Sequence, residues 1–390
     1  MKSYEELHAI VRDLEPILRK FAPMAEADCK VPKEAIDAIR EAGLFRIWIP
    51  EKLGGWDVDP VTACRIFEDI ARIDSAASWS VQMSNGVAAL GRFFGDQAVA
   101  EIYEGGNKIL ADAFAPPGAA VPVEGGYRFT GQFPFGSGCR YADWFMALGL
   151  VMDDGQPRMV EGNPVIRIMA FPMAEAEVVD NWDTLGMRGT GSDDVKVEDL
   201  FVPEHLTAAL EPIEGAANAA WSPAMNNMSV WHGIASIATT PLGVAATALE
   251  EFVAVARAKT AAFQTETVDR HALSHYRLGE ARATLNAARA GLYDAMAKAW
   301  EDAQAGTFIT AERKCDLQLA GSFAARAARD AVELIAASAG ANAFRHSSSL
   351  TRHLRDLRTT TQHAYISTDR YEDVGAITLG QTQKWGFLFF

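Results

Sequence analysis

Apolar residues recur along this chain with a helical period, then a strand-like period, then a helical period again. Up to about residue 108 the spacing is helical. In EAIDAIREAGLF, Ile36, Ile39 and Gly43 share one face, and Gly43 suits the position just past a helix end. Residues 49–60, IPEKLGGWDVDP, interrupt the pattern with two prolines, a Gly-Gly pair and acidic turn residues. Helices are expected over Val61–Asp74 and Ser80–Phe94.

From about 109 to 215 the apolar runs shorten to strand length. GGYRFTGQF suggests a hairpin strand and WFMALGLVM (144–152) a buried one. VIRIMAFP (165–172) and DVKVEDLFVP (194–203) alternate as strands with one wet face do. Short strands at this spacing predict a small barrel or sandwich.

Beyond that the helices lengthen. Pro241 fits a first helical turn after Thr239 and Thr240 as caps, and Leu242, Ala245, Leu249, Phe252 and Ala256 follow at helical spacing. Leu278, Ala281, Leu285, Ala288, Leu292, Met296 and Ala299 make a second stripe. An alanine-rich third stretch runs from about Ala311 to Ala339 and stops at Gly340, and a fourth is expected over Ser349–Thr368. Four long amphipathic helices in succession argue for a bundle. The expected fold is therefore mainly α with a central β domain: an N-terminal helical domain (1–108), a β-barrel domain (109–215) and a C-terminal four-helix bundle (216–390).

Composition narrows the function. Of 390 residues, 49% are hydrophobic and 22% charged, enough for a large core in two or three units. Acidic residues number 51 against 36 basic, a net charge of −15 that repels polyanions. With no basic run to offset it, general nucleic-acid binding is disfavoured. Four scattered cysteines without a CxxC pair suit a reduced cytoplasmic compartment. The start, MKSYEELHAIVRDLEP, is charged where a signal peptide would be apolar, and no stretch has the length of a membrane span. His271 and His275 stand four apart without a third ligand, so no metal site is expected. Motifs for nicotinamide, nucleoside triphosphate and zinc chemistry are absent, and Gly136-Ser137-Gly138 lacks the flanks of a nucleophile elbow.

Three segments carry a family resemblance. AGLFRIWIPEKLGG (42–55), DNWDTLGMRGTGSDDVKVEDLFVPEHL (180–206) and RHLRDLRTTTQHAYI (352–366), with its Arg355-Asp356 pair, together resemble the acyl-CoA dehydrogenase superfamily over nearly the whole chain. That resemblance implies the same domain order, a homotetramer, and a flavin between barrel and bundle. Dehydrogenases of the family need a carboxylate base. Its two usual places fall near Ala364, beside Gln362 and His363, and near Gly233, beside His232, and neither holds an acid. Glu250 and Glu251 lie beyond Pro241, on a solvated helix face.

ARIDSAASW (71–79), FGSGCRYADW (135–144) and His363 resemble instead the two-component flavin-dependent monooxygenase branch. The branch implies reduced flavin, FMN or FAD, supplied by a separate NAD(P)H-dependent flavin reductase. It implies reaction with O2 and oxygen transfer from a C4a-hydroperoxide to a small, usually aromatic, molecule. Such chemistry needs a dry pocket with a hydrogen bond near flavin N5. Ser137, between Gly136 and Gly138, can bring a hydroxyl and bare N–H groups close to the ring. His363, titrating near neutrality when unperturbed, could deprotonate a phenol or hold the peroxide.

The resemblance further implies flavin packing by Trp79, backbone contacts from Ala113, Phe114 and Ala115, and Gln362 beside the cofactor. Arg257 resembles the guanidinium that holds flavin phosphate. Gly340 and Ala341 resemble a turn that approaches the flavin of a neighbouring subunit. Asn85, Trp231 and His232 are substrate-pocket candidates; some branch members have a phenol-binding histidine near position 85, so Asn85 tells against a simple phenol. Two other readings stay open: an acyl-CoA dehydrogenase-type FAD enzyme with its base elsewhere, and an inactive flavin-fold binding protein.

Overall fold

The computed structural model describes residues 2–210, 217–260 and 264–384. The expected 215/216 boundary lies outside these residues.

The N-terminal unit comprises α1 (Tyr4–Asp28), α2 (Lys33–Glu41), α3 (Pro60–Ala71), α4 (Ser75–Ala88) and α5 (Asp96–Ile102). A capping box between Ser3 and Glu6 starts α1, and Leu7, Val11, Leu14, Leu18 and Phe21 bury one stripe of it. Beyond α2, Gly43 takes φ 82°, as a helix stop requires. Helix α4 begins five residues before the Ser80 expected from periodicity, because Asp74 caps it by accepting from the Ala77 N–H at 2.7 Å. It is buried almost all round: Ser78 Oγ donates to the Phe67 carbonyl and Ser80 Oγ to that of Ala76, so its hydroxyls do not go unpaired.

The middle unit contains β1 (Leu110–Val123), β2 (Gly126–Phe133), β3 (Trp144–Asp153), three two-residue strands β4 (Gln156–Pro157), β5 (Met159–Val160) and β6 (Asn163–Pro164), then β7 (Ile166–Pro172), β8 (Glu177–Val179), β9 (Asp194–Pro203) and β10 (Thr207–Ala209). The main sheet runs β10-β7-β3-β1-β2-β9-β8, with β4 paired to β3. Strands β1 and β3 are parallel, Leu110 opposite Trp144, and the other pairs are antiparallel. The end strands of this path, β8 and β10, have three residues each, and the central β domain stands where the strand spacing placed it. Phe129, Phe133, Phe145 and Phe171 form its aromatic core.

The C-terminal unit holds α6 (Pro223–Asn227), α7 (Trp231–Ser236), α8 (Thr239–Ala258), α9 (Ala272–Gln304), α10 (Ala311–Ala339), α11 (Ser349–Thr360) and α12 (Arg370–Thr378). Buried alanines 324, 325, 327, 328 and 331 let α10 approach its neighbours closely. Thr239 and Thr240 do not cap α8: Thr239 Oγ1 donates to the Ser236 carbonyl at 2.7 Å, and Thr240 meets Ser78 Oγ at 3.1 Å. Helix α11 ends at Thr360, eight residues short of the expected Thr368. There Thr360 and Thr361 donate back to the carbonyls of Asp356 and Arg358, and the chain turns. Among the described residues no helix is long and apolar enough to cross a membrane.

Candidate active site

The three units meet at α4, and each contributes a turn to the meeting point. From α4 comes Trp79, 6% exposed, whose indole N–H donates to Ser137 Oγ at 3.1 Å. Ser137 lies in the β2–β3 connection and contacts Ser192 Oγ at 2.7 Å. Ser192 contacts Thr190 Oγ1 at 2.7 Å, and Thr190 donates to the Met187 carbonyl at 2.8 Å. Asp193, fully buried, braces this loop by accepting from Arg140 Nε and from the N–H groups of Asn181 and Trp182.

The third turn follows α11. His363 sets its ring edge against Trp79 with centroids 5.5 Å apart, and Tyr365 sits 5.4 Å from His363. The turn is anchored by Gln318 Nε2, which donates to the Tyr365 carbonyl at 2.6 Å. Seven residues before His363, Asp356 accepts from Ser75 Oγ at 2.7 Å and from the Met187 N–H at 2.6 Å, so one carboxyl ties all three units together. Gly186 lets the loop pass against the Arg355 carbonyl, where a Cβ would collide.

His363 is half-buried, and the protein around it depresses its pKa to about 4. It is therefore neutral at physiological pH. Its Nδ1 accepts from the Tyr365 N–H at 3.3 Å, which places the ring proton on Nε2. The side chain thus offers an N–H donor at Nε2, the group that the hydrogen-bonding role expected for it uses.

A carboxyl that sequence reasoning passed over occupies the base-like range. Asp112 on β1 is half-buried, has no hydrogen-bond or ion-pair partner among the described residues, and is pushed up to about 7 by burial. Its charge reaches Tyr365, whose phenol is raised far above its ordinary value by burial first and Asp112 second. Its neighbours Ala113, Phe114 and Ala115 run from buried through half-buried to exposed.

The flanking glycines differ in purpose. Gly136 packs against the Asp193 carbonyl and Val195, so its lack of a Cβ serves the protein itself. Gly138 takes φ 78° with open space where a Cβ would point. Gln362 is exposed, next to His363.

The other candidates have their contacts outside the Trp79–Ser137–His363 cluster. Asn85 is fully buried and engaged on three backbone groups: it accepts from the Trp48 N–H and donates to the carbonyls of Leu44 and Val81. It fastens the 44–48 segment to α4. Trp231 and His232 are buried in α7. His232 stacks edge-on to Trp48 at 4.7 Å, neither ring nitrogen has a partner, and burial lowers its pKa to about 3. Gln82, three residues after Trp79 on α4, donates to the Gly233 carbonyl and Ser236 Oγ but leaves Oε1 unpaired. Buried polar atoms without partners in one place fit a polar ligand or ordered water. Arg257 is exposed near the end of α8, roughly 26 Å along that helix from Thr240. Gly340 and Ala341 are at the same end, where Lys259 Nζ donates to the Ala339 carbonyl. These three do not join the Trp79–Ser137–His363 cluster within one chain.

Residues 5–103 match the family described as acyl-CoA dehydrogenase, N-terminal domain, and residues 235–368 that described as acyl-CoA dehydrogenase, C-terminal domain; together these cover more than half the chain. Indole-3-acetate monooxygenase of Pseudomonas putida is 28% identical over 95% of this chain and 93% of its own. The flavin-dependent monooxygenase oxygenase subunit HsaA of Rhodococcus jostii is 27% identical over 92% of this chain and 94% of its own. Among solved structures, XiaF from Streptomyces in complex with FADH2 and glycerol superposes with a TM-score of 0.91 at 25% identity, covering 98% of this chain and 97% of that one.

Proposed function

Because the chain belongs to the acyl-CoA dehydrogenase family, with relatives named as monooxygenases along almost its whole length, we propose that it is the oxygenase component of a two-component flavin-dependent monooxygenase. It takes reduced flavin, FMN or FAD, from a separate NAD(P)H-dependent reductase and, with O2, oxygenates a small aromatic molecule. The observation that carries this reading is the convergence of Trp79, Ser137 and a neutral His363 where three units meet, with no acid at position 233 or 364.

The residues present fit a flavin ring. Ser137 reaches a half-exposed position beside a left-handed glycine with open space, and Trp79 supplies an apolar wall. When bound, reduced flavin supplies the electrons that activate O2. The chain's own groups do the rest. Trp79 and the surrounding core exclude water. Ser137 meets the ring edge. His363 Nε2–H donates to an oxygen acceptor in the cleft. Asp112, half-ionised near neutral pH, takes up a proton from an acidic O–H or N–H of the substrate. Gln82 and His232, with unpaired buried atoms, line the substrate's polar end.

Exposed apolar side chains on the bundle, among them Val255, Leu273, Tyr276, Leu319 and Phe323, support a homotetramer. In that assembly Arg257, Gly340 and Ala341 serve the flavin of a neighbouring subunit. The scattered cysteines and high acidity support a cytoplasmic setting.

Asp112 also supports a second reading, dehydrogenation with that carboxyl as base. The test is to supply reduced flavin, labelled O2 and candidate indoles or phenols, and to follow the label by mass spectrometry. One labelled oxygen per product molecule supports the oxygenase. Bleaching of tightly bound oxidised FAD by a thioester, with no labelled product, establishes the dehydrogenase instead.

A further inference from the structure

The hydrogen-bond relay that begins at Trp79 runs in one direction. An indole N–H can only donate, and a peptide carbonyl can only accept. Between the Trp79 indole and the Met187 carbonyl stand three hydroxyls, joined by contacts of 3.1, 2.7, 2.7 and 2.8 Å. One hydrogen comes from the indole and one from each hydroxyl. All the contacts can then be made in a single arrangement: Trp79 donates to Ser137, Ser137 to Ser192, Ser192 to Thr190, and Thr190 to Met187. Ser192 and Thr190 are each 4% exposed, so no bulk water can absorb a misdirected hydrogen. Ser137 is half-buried. With its hydrogen held by Ser192 and one lone pair by Trp79, it presents only a lone pair on its exposed side.

We propose that Ser192 and Thr190 are positioning residues that hold Ser137 as an obligate hydrogen-bond acceptor, so that the site selects reduced flavin, whose N5 carries a hydrogen, over oxidised flavin, whose N5 is bare. This rests on the reading above, in which Ser137 meets the flavin ring edge, and takes that edge to be N5. An acceptor facing N5–H gains a hydrogen bond, whereas an acceptor facing the bare nitrogen of the oxidised ring meets another lone pair. The discrimination thus originates two and three hydroxyls away from the ligand.

The test is an anaerobic titration of the full-length protein with reduced and with oxidised FMN and FAD, comparing wild type with S192A, S192T, T190V and S137A. The readout is the ratio of the two dissociation constants, with circular dichroism and melting temperature confirming the fold. The wild type is expected to prefer reduced flavin by about tenfold or more. In S192A the freed Ser137 hydrogen can turn to the cleft, so oxidised flavin binds more tightly and the preference falls by about tenfold. S192T keeps the hydroxyl and the preference. T190V falls between, since Ser192 then turns its hydrogen either way, and it carries the test if S192A does not fold. A ratio in S192A and T190V within about twofold of wild type, while S137A abolishes it, overturns the relay. Parallel weakening of both redox forms in S192A also overturns it, as a merely structural effect. An unchanged ratio in S137A removes Ser137 from N5 and overturns the site reading with it; binding of neither flavin by the wild type overturns the functional reading itself.

Discussion

Asp356 is the member of this site whose removal has the most calculable consequence. It is 2% exposed, and its two oxygens accept from a hydroxyl on α4 and from the backbone of the β-domain loop. Hydrogen bonds to an ionised group are worth about 1.5–3 kcal/mol each, and unpaired buried donors cost about 1–3 kcal/mol. Against that stands the cost of burying the carboxylate, which raises its pKa despite both bonds. The net expected loss for Asp356→Ala is about 3 kcal/mol.

Asp356→Asn separates geometry from charge. Its carbonyl can keep the Met187 N–H, and its amide can donate to Ser75 Oγ once that hydroxyl turns, so the expected loss is about 1 kcal/mol. The sign with pH follows from the raised pKa. Folded protein retains a proton that unfolded protein releases, so this group's contribution falls as pH rises from the unfolded value through the folded one. Asp356→Asn should flatten that slope. The assay is urea unfolding of both variants from pH 4 to 8, with amide exchange at Met187 as the local probe. Loss of less than about 1 kcal/mol in Asp356→Ala, or equal losses in the two variants, would refute the role of this carboxyl in tying the units together.

Other consequences are simpler to check. His363→Ala should slow substrate oxidation by about tenfold or more while reduced-flavin affinity moves by less than about threefold, measured by product yield and anaerobic titration. With its pKa near 4, His363 should leave no inflection in the rate between pH 5 and 8, whereas Asp112 should give one near 7 that Asp112→Asn abolishes. Because Asp112 is raised on folding, its contribution to stability should fall between about pH 4 and 7, and melting of Asp112→Asn should lose that dependence. Native protein should expose no more than two thiols to an aromatic disulfide reagent, Cys29 and Cys315, since Cys64 and Cys139 are buried; four fast thiols would show an open core.

The periodic parts of the fold were legible because helix and strand spacing are local properties. The stripe Leu278 to Ala299 lies within α9, and each of the four strand segments singled out for its pattern contains or overlaps a strand. Element ends were less so: α4 starts at a side-chain cap and α11 stops at two threonine back-bonds, and both effects outweigh periodicity. At the site, Ser137 and His363 stood out through their flanking motifs, but their chemistry did not. The acceptor character proposed for Ser137 depends on a serine 55 positions away. The donor character of His363 depends on a backbone N–H two residues on and on burial. Asp112 carried a signal, an acid inside an apolar strand, that was hidden because its neighbours mattered only for their backbone. Asn85 offered a polar side chain on α4, yet long-range backbone partners engage it fully.

The position of the site at a junction has a physical cause in the core itself. Trp79 and Met187 pack in the apolar cluster of the bundle, not in that of the units from which they come. The N-terminal unit and the loop between β8 and β9 therefore each lend large apolar side chains to a core they do not own. Ser137, which meets the Trp79 indole from the β2–β3 connection, and Thr190 and Ser192, on the loop that carries Met187, are drawn together by that burial. Their hydrogen bonds cannot be exchanged with water without opening an apolar seam, so the order of the relay is maintained by hydrophobic packing. The weak link is then the attachment between units, where Asp356 and the close passage at Gly186 act. A change there should disturb the ligand preference of Ser137 before it disturbs either unit's own fold.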